Sequence, residues 1–258
     1  MRKFLLFCAI ACIGEVGTAR DVYVVGGFAD GAPIRYGIWI RWDSDVLFYN
    51  SSSAPEAVRV VNVSNGSDVD SVGESFSIPP KSVVPLPYRY KPSGWVSPLW
   101  VWKFEVPLTV QTTSFFELYE KIGHLPEPGE SRGQINLPVF EHLVPAGEEQ
   151  VILGTDLGFR DRRVNVAIYN AADVTAVAEV VVRRNCDGLP LATETFAIPA
   201  DTAIQRGAMH SGVVGYRSCV ENSTRGTYVT VRVDQPSLAW VSALANDEAT
   251  SVSLNVIP

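Results

Sequence analysis

The sequence predicts an all-β protein made of two antiparallel β-sandwiches in series behind a short export signal. Three observations predict it. Short β-branched and aromatic runs are separated by Gly, Pro, Asn and Asp, and no stretch of ten residues or more carries an apolar period near 3.6. Val46 to Pro79 recurs 120 residues later as Val166 to Pro199, with ten of 34 ungapped positions identical, where chance gives about two. The repeat divides most of the 258 residues into two units of ordinary domain size.

Residues 1–19 read as a signal peptide. Arg2 and Lys3 precede the apolar run Phe4 to Ile13, and Gly17-Thr18-Ala19 offers the small residues a signal peptidase inspects, so cleavage is expected after Ala19. A rival reading makes Cys12 a lipid-modified N-terminus, because Ala9-Ile10-Ala11-Cys12 faintly resembles a lipobox. The apolar run before it is short for that role.

The first unit is expected over residues 20–124. Val22 to Val25 reads as a strand closed by Gly26-Gly27, and Tyr36 to Trp42 as another that stops at Asp43-Ser44-Asp45. The repeat then supplies the pattern of each unit. Its first strand ends at Asn50 or Asn170, a residue that bonds its own backbone in turns. In the longer strand that follows, alternation puts Val58, Val60 and Asn62 on one face and Arg59, Val61 and Val63 on the other; the second copy splits into Ala178, Val180, Val182 and Glu179, Val181, Arg183. Turns come at Asn65-Gly66-Ser67-Asp68 and Asn185-Cys186-Asp187-Gly188, where Asn-Gly and Asp-Gly accept positive φ. Phe76 and Ile78, or Phe196 and Ile198, face inward on a third strand that Pro79 or Pro199 stops.

Pro85 to Pro107 is the most aromatic stretch, with Tyr88, Tyr90, Trp95, Trp100, Trp102 and Phe104. The period of two places Trp100, Trp102 and Phe104 on one strand face and Val101, Lys103 and Glu105 on the other. Phe115 to Ile122 fits either a short helix or a last strand. Residues 125–138 are rich in breakers and read as a linker short enough for the units to touch. The second unit, 139–258, continues through strands at Tyr228 to Val233, Leu238 to Ala245 and Ser251 to Ile257.

The phrase Ile168-Tyr169-Asn170, a valine-rich strand, a Gly or Asn turn and then Phe196-Ala197-Ile198-Pro199-Ala200 resembles the Ig-like β-sandwich modules repeated in bacterial secreted and cell-surface proteins. The resemblance implies modules that bind, space or display, and carries no catalytic signature.

Composition narrows the function further. A net charge of −7 and a pI near 5.0 disfavour nucleic acid as a partner. No apolar run of the roughly 18 residues needed for a transmembrane helix follows the signal. After the signal only Cys186 and Cys219 remain, which in an oxidising compartment predicts one disulfide. His124, His142 and His210 lack a nucleophile elbow, so no catalytic residue is assigned and the protein is read as not an enzyme. Asp43-Ser44-Asp45 and Asp68-Val69-Asp70 lack the spacing and glycine of a calcium loop, so no metal and no cofactor is expected. The Asn-x-Ser/Thr sequons at Asn50, Asn62, Asn65 and Asn222 matter only in a eukaryotic secretory pathway.

What stands out is aromatic. Seventeen Phe, Tyr and Trp lie between Asp21 and Glu130 against seven in the second unit. Tyr88, Tyr90 and Trp95, beside the Pro92-Ser93-Gly94 turn, make a candidate platform for stacking on a sugar or anchoring a protein partner. The expected function is an exported, non-enzymatic binding or structural module for an unknown protein or glycan, located in the periplasm, on the cell surface or outside the cell. The alternatives are a carbohydrate-binding protein using those aromatics, and a periplasmic chaperone-like two-domain protein, which would require basic residues such as Arg132, Arg160 and Arg162 to meet at the cleft between units.

Overall fold

The structure, a computed structural model, describes residues 19–35, 38–64, 69, 72–92, 99–122, 131–155, 162–207, 227–245 and 256–257. These residues are all-β: seventeen strands and one 3-10 turn at Tyr88–Tyr90.

The first unit comprises β1 (Ala19–Arg35), β2 (Ile38–Asn50), β3 (Glu56–Val63), β4 (Ser75–Ile78), β5 (Val83–Pro85), β6 (Leu99–Pro107), β7 (Val110–Ile122), β8 (Ser131–Leu137) and β9 (Val139–Phe140). One layer runs β4-β3-β6-β1-β9 and the other β5-β2-β7-β8. β1 belongs to both, pairing with β6 over Ala19–Gly27 and with β2 from Phe28 onward. The second unit comprises β10 (Glu149–Thr155), β11 (Arg162–Asn170), β12 (Ala176–Arg184), β13 (Pro190–Ile198), β14 (Thr202–Gly207), β15 (Thr227–Val233), β16 (Ser237–Ala245) and β17 (Val256–Ile257). Its layers are β13-β12-β15-β10-β17 and β14-β11-β16.

The registers make β10 to β16 the counterparts of β1 to β7. Arg59 lies opposite Glu105 as Glu179 lies opposite Arg232, and Asn50 opposite Val110 as Asn170 opposite Ser237. The strand order departs from the Ig arrangement, which groups the first strand with the second and the seventh with the sixth. Here the first strand, β10, bonds the sixth, β15, while the seventh, β16, bonds the second, β11. Within these seven strands only β12 and β13 are consecutive neighbours in one layer; every other connection crosses, as in a jelly-roll type of double-sheet sandwich.

Each sandwich is filled by its own apolar cluster. Val22, Val24, Phe48, Val60, Ile78, Trp102 and Phe104 are among those that pack the first, and Ile152, Ile168, Val180, Ile198, Val229 and Val231 among those that pack the second. Phe48 meets Phe76 and Phe104 edge-on with centroids 5.2 Å apart, a preferred aromatic geometry.

Several expected boundaries move, each for a local reason. Gly26-Gly27 does not end the first strand. A Cβ on Gly26 would sit 2.2 Å from Trp102 and 2.5 Å from Trp100, so the glycine is there to let two indoles lie against the backbone. Asp43-Ser44-Asp45 does not end the next one either. Ser44 is buried and accepts the Gly27 N–H at 3.1 Å, and Asp45 pairs with Lys91, so the polar groups are satisfied within a continuous β2. Phe115 to Ile122 is strand, the far part of β7. Residues 131–137, inside the segment expected as linker, form β8 against β7, and β9 adds to β1.

Candidate functional site

The aromatic segment divides between core and surface. Trp100, Trp102 and Phe104 lie inside the first sandwich as their alternation requires. Trp102 donates its indole N–H to the Tyr90 carbonyl at 2.9 Å, which ties the 3-10 turn to β6. Tyr90 is therefore a core residue, fully buried, with its ring 5.5 Å from Phe76 and the Arg89 guanidinium 4.7 Å above it. Of the three residues of the expected platform, Tyr90 is buried, Trp95 lies outside the described residues, and Tyr88 is exposed, at 86%.

Cys186 is exposed in the turn after β12, and Cys219 lies outside the described residues. His142 is exposed after β9, while His124, His210, Asp68 and Asp70 lie outside the described residues. Among the described residues no group of three or more His, Cys, Asp or Glu is placed to hold a metal.

What the structure does assemble is a contact between the units. The outer face of the β3-β6-β1 layer carries Tyr23, Val25, Leu99 and Val101, and it packs on the outer face of β14-β11-β16, which carries Ala167, Tyr169, Ala203, Leu238 and Trp240. Leu137, Phe140 and Leu143 close one margin, and Val144 bridges to Ser237 in both directions at 2.9 and 3.0 Å. The described residues thus stack as four β layers with three apolar clusters between them.

One polar knot lies at this contact. Asp201 has positive φ, 44°, and its carboxylate accepts the Tyr169 hydroxyl at 2.7 Å and the Asn62 amide at 3.1 Å. Asn62 comes from the other unit. It was expected on the same face as Val60, but a bulge at Val61 shifts the register, sending Val63 into the core and Asn62 outward to Asp201. Burial, then the hydrogen bond to Asp201, raises the Tyr169 hydroxyl far above the ordinary tyrosine range.

Sequence reasoning expects the units to touch but does not find which faces meet, although a signal is present. β6 reads Leu-Trp-Val-Trp-Lys-Phe and β16 reads Leu-Ala-Trp-Val, each apolar on both faces. A strand of a two-layer sandwich needs only one such face, so a continuous run announces cover on the other side.

The chain matches no protein-family model, no curated protein and no solved structure.

Proposed function

We propose that the protein is an exported, non-enzymatic module that binds or spaces a partner as one rigid body, in the manner of tandem sandwich modules of bacterial secreted and cell-surface proteins. The observation that carries this is the apolar contact between the units, from Tyr23 and Val101 on one side to Tyr169 and Trp240 on the other. Sandwiches joined by a bare linker move independently; a buried aromatic and aliphatic layer fixes their relative orientation, as a spacer or a two-sided binding surface requires. The basic-hydrophobic N-terminus supplies the export signal, and Cys186 with Cys219 the disulfide of an oxidising compartment.

Fractionation of cells expressing the full chain tests the reading. The product should be recovered outside the cytoplasm, with a free N-terminus near Arg20, and blocked thiols should appear only after reduction. A cytoplasmic product retaining Met1 would overturn it.

Glycan binding remains a second reading on one observation, the exposure of Tyr88 beside Pro87 and Arg89. A glycan-array signal lost in Tyr88→Ala supports it, and an array without signal removes it. The chaperone-like alternative asks for a basic cleft between the units, and the arginines offered for it, Arg132, Arg160 and Arg162, lie outside the residues whose side chains the structure describes.

A further inference from the structure

We infer that the protein associates head to tail with a second copy of itself, the outer face of β2, β5 and β7 in one copy covering the outer face of β10, β12 and β15 in the next. The inference starts from the asymmetry of the internal contact. The two units have the same strand order, yet they do not meet through equivalent surfaces. The first uses its β3-β6-β1 layer and the second its β14-β11-β16 layer, whose counterpart in the first unit is β5-β2-β7. A contact between unlike faces leaves one face of each kind over, and repeating it adds further units.

Both leftover faces keep an apolar character where the register predicts it. On the first unit, Leu47, Tyr49 and Val83 stand where the second has Ala167, Tyr169 and Ala203 in the internal contact. Tyr49 is 36% exposed and Val83 57% exposed. Tyr49 is also one of the ten identities of the repeat, and its twin Tyr169 is an anchor of the buried layer. Gln111 and Thr113 replace Leu238 and Trp240, but Pro85 and the half-buried Phe115 add apolar surface where the second unit has Gln205 and Ser242.

On the second unit, Val151, Leu153 and Tyr228 stand where the first has Tyr23, Val25 and Val101, all three of them buried against its neighbour. Leu153 is 43% exposed. The charged end of the face is preserved as well. Glu149 meets Arg183 and Arg232, as Asp21 meets Lys103 and Arg59 meets Glu105 in the first unit. The ionic row Glu179-Arg232-Glu149 lies on the far side of Val151 from Leu153, and Arg183, opposite Tyr228, leans back to Glu149, so the apolar patch that docks is Val151, Leu153 and Tyr228. With Gln111 and Thr113 at its centre, the contact between copies is weaker than the one within the chain, so it forms at high concentration or where the protein is crowded.

Sedimentation velocity of the purified protein, over about two decades of concentration up to roughly 1 mM, tests this. The weight-average mass should rise with concentration. Val83→Glu and Leu153→Glu change exposed positions on opposite faces, and each alone should weaken association by about tenfold or more. Each variant still carries the face the other has lost, so an equimolar mixture should form a dimer and stop there. A wild-type protein that stays monomeric throughout, a single variant that associates as well as wild type, or a mixture that remains monomeric would overturn the inference.

Discussion

Asn50 and Asn170 do the same work at the same place in each repeat. The Asn50 side-chain amide donates to the carbonyls of Ala54, Ile78 and Pro79 at 2.8 to 3.2 Å, and its side-chain carbonyl accepts the Ser52 N–H at 2.8 Å. Asn170 repeats this with Val174, Ile198, Pro199 and the Ala172 N–H at 2.7 to 3.2 Å. Both are fully buried. The Ile-Pro identity of the repeat follows, because those two carbonyls must be presented together, and the backbone after them turns through positive φ at Lys81 and Asp201 alike. Asn50→Ala or Asn170→Ala leaves buried acceptors unsatisfied, so each should cost about 2–4 kcal/mol in urea unfolding. Asn→Asp should not rescue, since the donors are what is lost. Gly26→Ala forces the two indoles off the backbone, and a loss of about 2 kcal/mol or more is expected by the same measurement. An unchanged midpoint would mean that Trp100 and Trp102 repack freely.

Strand identity was legible in the sequence and strand ends were not. Period-two patterning found the faces of β6 and β12, and the two copies of Phe-x-Ile-Pro found the strand that stops before Pro79 or Pro199. Gly26-Gly27 and Asp43-Ser44-Asp45 misled because breakers are read locally, whereas here indole packing and a buried Ser44 hydrogen bond from a distant strand decide. The bulge at Val61 was invisible for a related reason: it leaves the composition of β3 unchanged and shows only in its partner's register. Of the site, the burial of Tyr90 is not legible from its Pro and Gly neighbours, because a hydrogen bond from Trp102 draws that turn into the core. Pairing between strands also carries a pH signature. A hydrogen bond to Asp21 at 2.7 Å raises the Lys103 ammonium above its ordinary value. The stabilisation is complete below the unfolded lysine pKa of about 10.4 and is lost as the pH rises through the folded one, and solvent screening holds it to at most about 1 kcal/mol. Asp21→Asn should therefore lower stability at pH 8, with the gap to wild type closing in strong alkali.

For the whole molecule, the layer between the units decides whether the two sandwiches unfold as one. Each has a core of its own, so the two would melt separately if only the chain between β9 and β10 joined them. The buried contact of Tyr23, Val25, Leu99 and Val101 with Tyr169, Leu238 and Trp240 couples them, and a single calorimetric transition is expected for wild type. Trp240 is the largest side chain that the second unit contributes to this layer. Trp240→Ala removes on the order of 3–5 kcal/mol of packing from a position shared by both units. Two resolved transitions should follow, whereas one transition at a lower temperature would place the tryptophan's main role inside its own unit. Alkali offers an independent probe of the same layer. Tyr169 is held protonated by burial and by its bond to Asp201. Its contribution is complete below the unfolded tyrosine pKa of about 10 and declines as the pH rises beyond it, because only the unfolded chain gives up the proton there. Tyr169→Phe should flatten the alkaline arm of the stability curve and lower stability at neutral pH, because the Asp201 carboxylate loses the hydroxyl and keeps only Asn62, and an alkaline slope identical to wild type would show that other groups carry it.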